Sequence, residues 1–118
     1  MTEQAKKIAE CVAKALDAKK ASDIQIIDVA EMTIVAECFV VASGSNPIQV
    51  RALSQAAEEA AQEQLALSPP RSDGYNEGRW VVLDYGDVLV HIFHQEERDF
   101  YNLERLWNDG NNTIQFRA

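Results

Sequence analysis

Apolar residues at Ala5, Ile8, Ala9, Val12, Ala15 and Leu16 recur every three to four positions, with Glu and Lys residues between them. That spacing predicts an amphipathic helix from a capping Thr2 to about Lys20, with a narrow face of small side chains. The period then changes. Residues 24–29 are rich in isoleucine and read as a strand. The run Cys38-Phe39-Val40-Val41-Ala42 is apolar at every position, the pattern of a central strand covered on both faces. It ends at Ser43-Gly44-Ser45. A second helix starts at Asn46-Pro47-Ile48-Gln49, with Asn46 as N-cap, Pro47 at the first helical position and Gln49 closing a capping box. Val50, Leu53, Ala57, Ala60 and Ala61 share one side of it, and it runs to about Leu65 before Ser68-Pro69-Pro70 prevents continuation.

Residues 70–78 are polar, hold two glycines and read as a loop with a short strand near Tyr75. Residues 80–83 and 88–93 flank a tight turn at Tyr85-Gly86 and read as a hairpin. A final helix over about 97–107 places Phe100, Leu103 and Trp107 on one face with Leu106 beside them, and Gly110 stops it. The order α-β-β-α-β-β-α, with one more short strand, predicts an α/β (α+β) fold. We expect a single domain, residues 1–110, built on a mixed sheet of about five strands flanked by helices. Residues 111–118 show no pattern and are expected to form a loose tail.

The hairpin has two unlike faces. With Tyr85-Gly86 as its loop, Asp84 faces Asp87, Val82 faces Leu89 and Trp80 faces His91. Val81, Leu83, Val88, Val90 and Ile92 then form a purely aliphatic face that must pack on the core. The opposite face carries Trp80, Val82, Asp84, Asp87, Leu89, His91 and Phe93. A solvated sheet face is more polar than this, and a second core face lacks aspartates. A tryptophan-centred amphipathic mixture is the composition of a protein interface. Like charges opposite one another on a sheet repel, and a partner's lysine or arginine would relieve that. The bland reading of Asp84 and Asp87 is that they are turn residues bonding to their own backbone. The bland reading of Trp80 is that the last helix covers it.

Composition narrows the partner. Of 118 residues, 47% are apolar and 25% charged, with a net charge of −8. That is a globular, acidic chain. Without a basic stripe, direct binding to nucleic acid is disfavoured, whereas a basic protein is a suitable partner. Two cysteines, Cys11 and Cys38, follow neither a disulfide framework nor a metal-ligand spacing, and no stretch has the length of a membrane span. The expected location is the cytoplasm, away from membranes.

Enzymatic readings find little support. Gly44-Ser45 after a strand is where a nucleotidyltransferase holds a nucleotide phosphate, so an enzyme acting on a nucleotide or RNA is the main alternative. Such an enzyme needs paired carboxylates for magnesium about ten residues on. Glu58 and Glu59, the carboxylates in that window, are adjacent on a helix and point apart. His91 and His94 fall on opposite faces of a strand, which disfavours a metal site. Cys11 and Cys38 lack a base and an orienting group. No catalytic, metal or cofactor residues are assigned. An RNA-binding module could stack bases on Trp80 and Phe93, but their acidic neighbours disfavour it.

The run from Arg79 through Trp80-Val81-Val82-Leu83-Asp84-Tyr85-Gly86-Asp87-Val88-Leu89-Val90-His91-Ile92-Phe93 closely resembles the signature of the Iojap, or ribosomal silencing factor, family. The likeness continues through Glu96-Glu97-Arg98-Asp99-Phe100-Tyr101-Asn102-Leu103-Glu104-Arg105-Leu106-Trp107. Upstream, Asp28-Val29, Ala42-Ser43-Gly44-Ser45 with Gln49-Val50, and Asn76-Glu77-Gly78 also fit. Pro47 and the segment after Asp109 depart from the pattern. The resemblance implies a nucleotidyltransferase-like fold without the activity. It also implies binding to the large ribosomal subunit through its ribosomal protein of class fourteen, which blocks joining of the small subunit and lowers translation when nutrients are scarce. The implied contact residues are Trp80, Asp84, Tyr85, Asp87 and His91. The same exposed face could pair two copies of the chain.

Overall fold

The computed structural model describes residues 1–69 and 71–116. Helix α1 (Glu3–Ala18) begins at Thr2, whose hydroxyl accepts the Ala5 N–H at 3.2 Å. Strands β1 (Ser22–Asp28) and β2 (Cys38–Gly44) follow, and every residue of β2 is buried. Helix α2 (Pro47–Leu65) starts at Asn46, whose Oδ1 accepts the Gln49 N–H at 2.8 Å. The Gln49 side chain takes the Ser45 N–H at 2.7 Å, one residue before the cap. The chain continues through β3 (Arg71–Asp73), β4 (Trp80–Asp84), β5 (Val88–His94), α3 (Gln95–Tyr101), α4 (Leu103–Trp107) and β6 (Thr113–Gln115).

These strands form one mixed sheet in the order β3-β4-β5-β2-β1-β6. The β2–β5 pair is parallel and its other neighbours are antiparallel. The expected single α+β domain on a mixed sheet is what forms, with six strands rather than about five. On one face, Ile8, Val12 and Leu16 of α1 and Val50, Leu53 and Ala57 of α2 pack with Val40, Val81, Leu83, Val88, Val90 and Ile92. On the other, Ile27, Val29, Phe39, Val41 and Phe93 form a second apolar layer, which Leu103 and Trp107 of α4 partly cover. Buried on both sides, β2 is the central strand its unbroken apolar run predicts.

Four local expectations need correction. The hairpin loop is Gly86-Asp87, not Tyr85-Gly86: the Tyr85 N–H donates to the Val88 carbonyl at 2.9 Å. Gly86 takes φ +84, which a side chain resists, and glycine at the first loop position suits a type II′ turn. The register is therefore Trp80 with Phe93, Val82 with His91 and Asp84 with Leu89. It moves by two residues, so side chains keep their faces, but Asp84 and Asp87 do not oppose each other. Asp84 instead accepts the Gly86 N–H at 2.8 Å, the turn chemistry expected of aspartate.

The last helix is two short helices. Asn102 breaks it in the left-handed region, at φ 50. Phe100 and Leu106 consequently point to solvent, while Leu103 and Trp107 turn inward. The short strand expected near Tyr75 lies earlier, at β3, and Pro70 falls outside the described residues. Finally, part of the expected loose tail is strand β6, paired with β1 through Ile26 and Ile114. Side chains dock it: Gln115 Nε2 donates to Asp23 Oδ1 at 2.8 Å, and Asn112 Nδ2 to the Asp28 carbonyl at 2.9 Å. Arg117 and Ala118 lie outside the described residues.

Candidate functional site

The mixed face of the hairpin is an aromatic layer rather than an open surface. Trp80 begins β4 and lies 4.8 Å from Phe93 and 5.0 Å from Tyr101, ring centre to ring centre. Phe39 meets His91 edge-on at 5.1 Å and Trp107 at 5.2 Å. Phe93 is fully buried and His91 is 7% exposed, so the imidazole expected on a free face is enclosed. The reason is that α3 and α4 fold back over this side of the sheet. Trp80 itself stays half-buried.

One polar contact organises the layer. The indole N–H of Trp80 donates to His91 Nδ1 at 3.2 Å. Indole is a donor only, so Nδ1 must be the bare nitrogen, and the neutral ring carries its proton on Nε2. That Nε2 is buried without a partner among the described residues. Burial lowers the His91 pKa to about 4, because a charged imidazolium loses its hydration there.

The two aspartates sit at the far end of the hairpin. Asp84 is half-buried and Asp87 exposed. The Asp87 carbonyl accepts the N–H groups of Glu37 and Cys38, which ties the turn to the start of β2. Tyr85 alternates to the opposite face and packs against the main core. Its hydroxyl is buried without a partner among the described residues. Burial first, then the charges of Glu58 and Cys11, push its pKa up to about 12. Thus Trp80 and His91 touch, Asp84 and Asp87 share a turn, and Tyr85 stands on the other side of the sheet.

The remaining sequence candidates have structural settings. His94 caps α3, its Nδ1 accepting the Glu96 N–H at 3.2 Å. At Gly44 a side chain would crowd Gln49, Val50 and Leu53 at 3.2–3.3 Å, so close packing accounts for this glycine. Glu58 is half-buried, with its pKa raised by desolvation, and Glu59 is exposed. Among the described residues no helix is long and apolar enough to cross a membrane.

Sequence reasoning missed Arg98. The residue is 4% exposed, and its guanidinium reaches Glu104 at 2.5 Å, Asp23 at 3.3 Å, the Ser22 carbonyl at 3.2 Å and the Ser43 hydroxyl at 3.2 Å. Asp23 sits in a bulge of β1 at φ 48, a left-handed conformation that aims its carboxylate at Arg98. In the sequence, Glu96-Glu97-Arg98-Asp99 looks like any solvated charge run. Its meaning depends on partners some 76 and 55 positions away.

A family model described as "Ribosomal silencing factor during starvation" matches residues 2–117. The chain belongs to this family. The ribosomal silencing factor RsfS of Bacillus subtilis (strain 168) is 39% identical over 104 residues, covering 88% of this chain and 87% of that protein. RsfS of Halalkalibacterium halodurans is 40% identical over 95 residues, 80% of each chain. The chloroplastic protein Iojap of Zea mays is 33% identical over 107 residues, 86% of this chain and 46% of that one. Among solved structures, a Bacillus halodurans crystal structure superposes with TM-score 0.80 at 33% identity, covering 94% of this chain and 99% of that one. A Chromobacterium violaceum structure gives 0.84 at 31% identity, covering 97% and 92%. The role named for the ribosomal silencing factor family is regulatory rather than catalytic, and the resemblance read from the hairpin extends over almost the whole chain.

Proposed function

We propose that this chain binds the large ribosomal subunit through the basic ribosomal protein of class fourteen, blocks joining of the small subunit and so represses translation under nutrient limitation. The observation that carries this reading is the family match over residues 2–117. The chemistry of the surface supports it. A net charge of −8 favours a basic protein over a phosphate backbone. The binding site we propose is Trp80, Asp84, Tyr85, Asp87 and His91, in which Trp80, Asp84 and Asp87 make the contacts while the enclosed His91 and the core-packed Tyr85 support them. Trp80 presents the exposed edge of the aromatic layer, and His91 holds its indole from beneath. Asp84 and Asp87 offer carboxylates to cations of the partner, and Tyr85 braces the turn from the core side. The chain would act in the cytoplasm, where its ribosomes are.

Sedimentation tests this directly. The purified protein should travel with large subunits and not with small ones, and should slow subunit joining. A pull-down by the isolated, RNA-free ribosomal protein should capture it. Asp87→Lys should weaken capture about tenfold, since reversing a charge at an interface turns attraction into repulsion. Equal sedimentation with both subunits, or no capture by the RNA-free protein, would overturn the assignment.

A further inference from the structure

The loop between β1 and β2 carries the most exposed apolar cluster of the described residues. Ile34 is 105% exposed, Val35 66% and Met32 44%. Single apolar residues on a surface are ordinary, but three within four positions at a loop tip are a feature to explain. The loop is not loosely attached. Its stem closes where the Val29 N–H meets the Glu37 carbonyl at 2.9 Å, and Ala36 is buried in the second apolar layer. A hydrogen bond from the Glu37 N–H to the Asp87 carbonyl at 2.8 Å then joins its base to the hairpin turn. Sheet topology places both at one end: β1 and β4 finish there, and β2 and β5 start there.

Charge at this end has one dominant sign. Residues 28–37 and 84–89 contain Asp28, Glu31, Glu37, Asp84 and Asp87, and no Lys or Arg. Cations adjoining this end include the N-terminal amine, 3.6 Å from Asp28, and Arg71, opposite Asp84 on β3, while the Glu37 carboxylate takes the Thr2 N–H at 2.8 Å. Glu31 and Asp87 form no ion pair among the described residues. A second copy of the chain would bring the same carboxylates to this end and be repelled. A phosphate backbone would be repelled too.

We propose that the Met32–Ile34–Val35 tip is a second contact point with the partner: it seats in an apolar socket of a basic protein surface, while Glu31, Glu37, Asp84 and Asp87 meet lysines or arginines around that socket. This inference rests on the proposed ribosomal reading and extends its surface from the hairpin to the loop. Apolar burial would give the contact its strength, and the carboxylate ring its orientation and speed of association.

The test is the double substitution Ile34→Ser with Val35→Ser, compared with wild type for binding to purified large subunits. Both residues are exposed, so the thermal midpoint should not fall, whereas the dissociation constant should rise at least tenfold. Glu31→Lys should weaken binding at low salt, and added salt should narrow its difference from wild type. Double-variant binding equal to wild type would overturn the loop proposal while leaving the ribosomal reading standing. Wild type that fails to bind large subunits would remove both. Sedimentation velocity supplies the third arm: a dimer in wild type that becomes a monomer in the double variant would assign the tip to self-association and overturn the proposal.

Discussion

Replacing Arg98 with methionine should cost about 3 kcal/mol of folding stability, the low end of the 3–5 kcal/mol typical of breaking a buried ion pair from one side. The low end applies because the Asp23 side chain is 54% exposed, whereas that of Glu104 is 14% exposed. Methionine fills similar space but leaves the Glu104 carboxylate without its cation and the Ser22 carbonyl and Ser43 hydroxyl each one donor short. Arg98 is also the clasp between three elements, since its partners lie on β1, on β2 and in α4. The damage should therefore reach the cover that α4 lays over the aromatic layer. Urea titration should show a lower midpoint at nearly unchanged slope. Adding Glu104→Gln to Arg98→Met should recover part of the loss, because the stranded charge is then gone. A loss below about 1 kcal/mol would mean that the cluster is merely a solvated surface network.

The second large effect is a pH dependence centred on His91. Its pKa falls from the ordinary 6.5 to about 4 in the folded chain. Between those values the unfolded chain binds a proton that the folded chain refuses, so stability rises with pH. The contribution is complete above about pH 6.5 and fades as pH falls towards 4. A difference of about 2.5 pH units corresponds to about 3 kcal/mol at full extent. Unfolding measured at pH 7.5 and 4.5 should reveal most of it. Carboxylates also titrate near the lower end, so the decisive comparison is His91→Phe, which keeps them and removes the imidazole. Its stability should change less over the same window. Equal slopes in the two proteins would show that His91 is not the group responsible.

These two residues also mark what a sequence can and cannot disclose. The central strand was legible because burial on both faces demands an apolar residue at every position, and residues 38–42 satisfy that. The start of α2 was legible because Asn46 and Pro47 are local devices. The two faces of the hairpin survived an error in its loop, because the register moved by two residues and side chains alternate with a period of two. The turn itself was ambiguous: either choice of loop contains Gly86, and only the backbone shows that Asp87 shares it.

Features decided by distant contacts were not legible. Strand β6 has little pattern of its own and is held by Asp23 and Asp28, far away in sequence. Asn102 breaks the last helix without a proline or glycine to announce it. The candidate site was half legible. Alternation grouped Trp80 with His91 correctly, but the fold-back of α3 and α4, which encloses His91, left no periodic trace. For the same reason Trp80→Ala is a poor single probe of binding, since it also removes the indole contact to His91. A surface change such as Asp87→Lys separates recognition from folding more cleanly.

Both outermost strands of the sheet, β3 and β6, are only three residues long. Every residue of β3 is exposed, and Arg71 and Asp73 place charges along that rim. So short a rim offers few free backbone groups to a neighbouring chain, and charged side chains make an added strand unwelcome. The rims of the sheet therefore disfavour the addition of a further strand from either side. Assembly through side chains and loops, which a single substitution can tune, is thereby favoured over assembly through the backbone ladder, which it cannot tune.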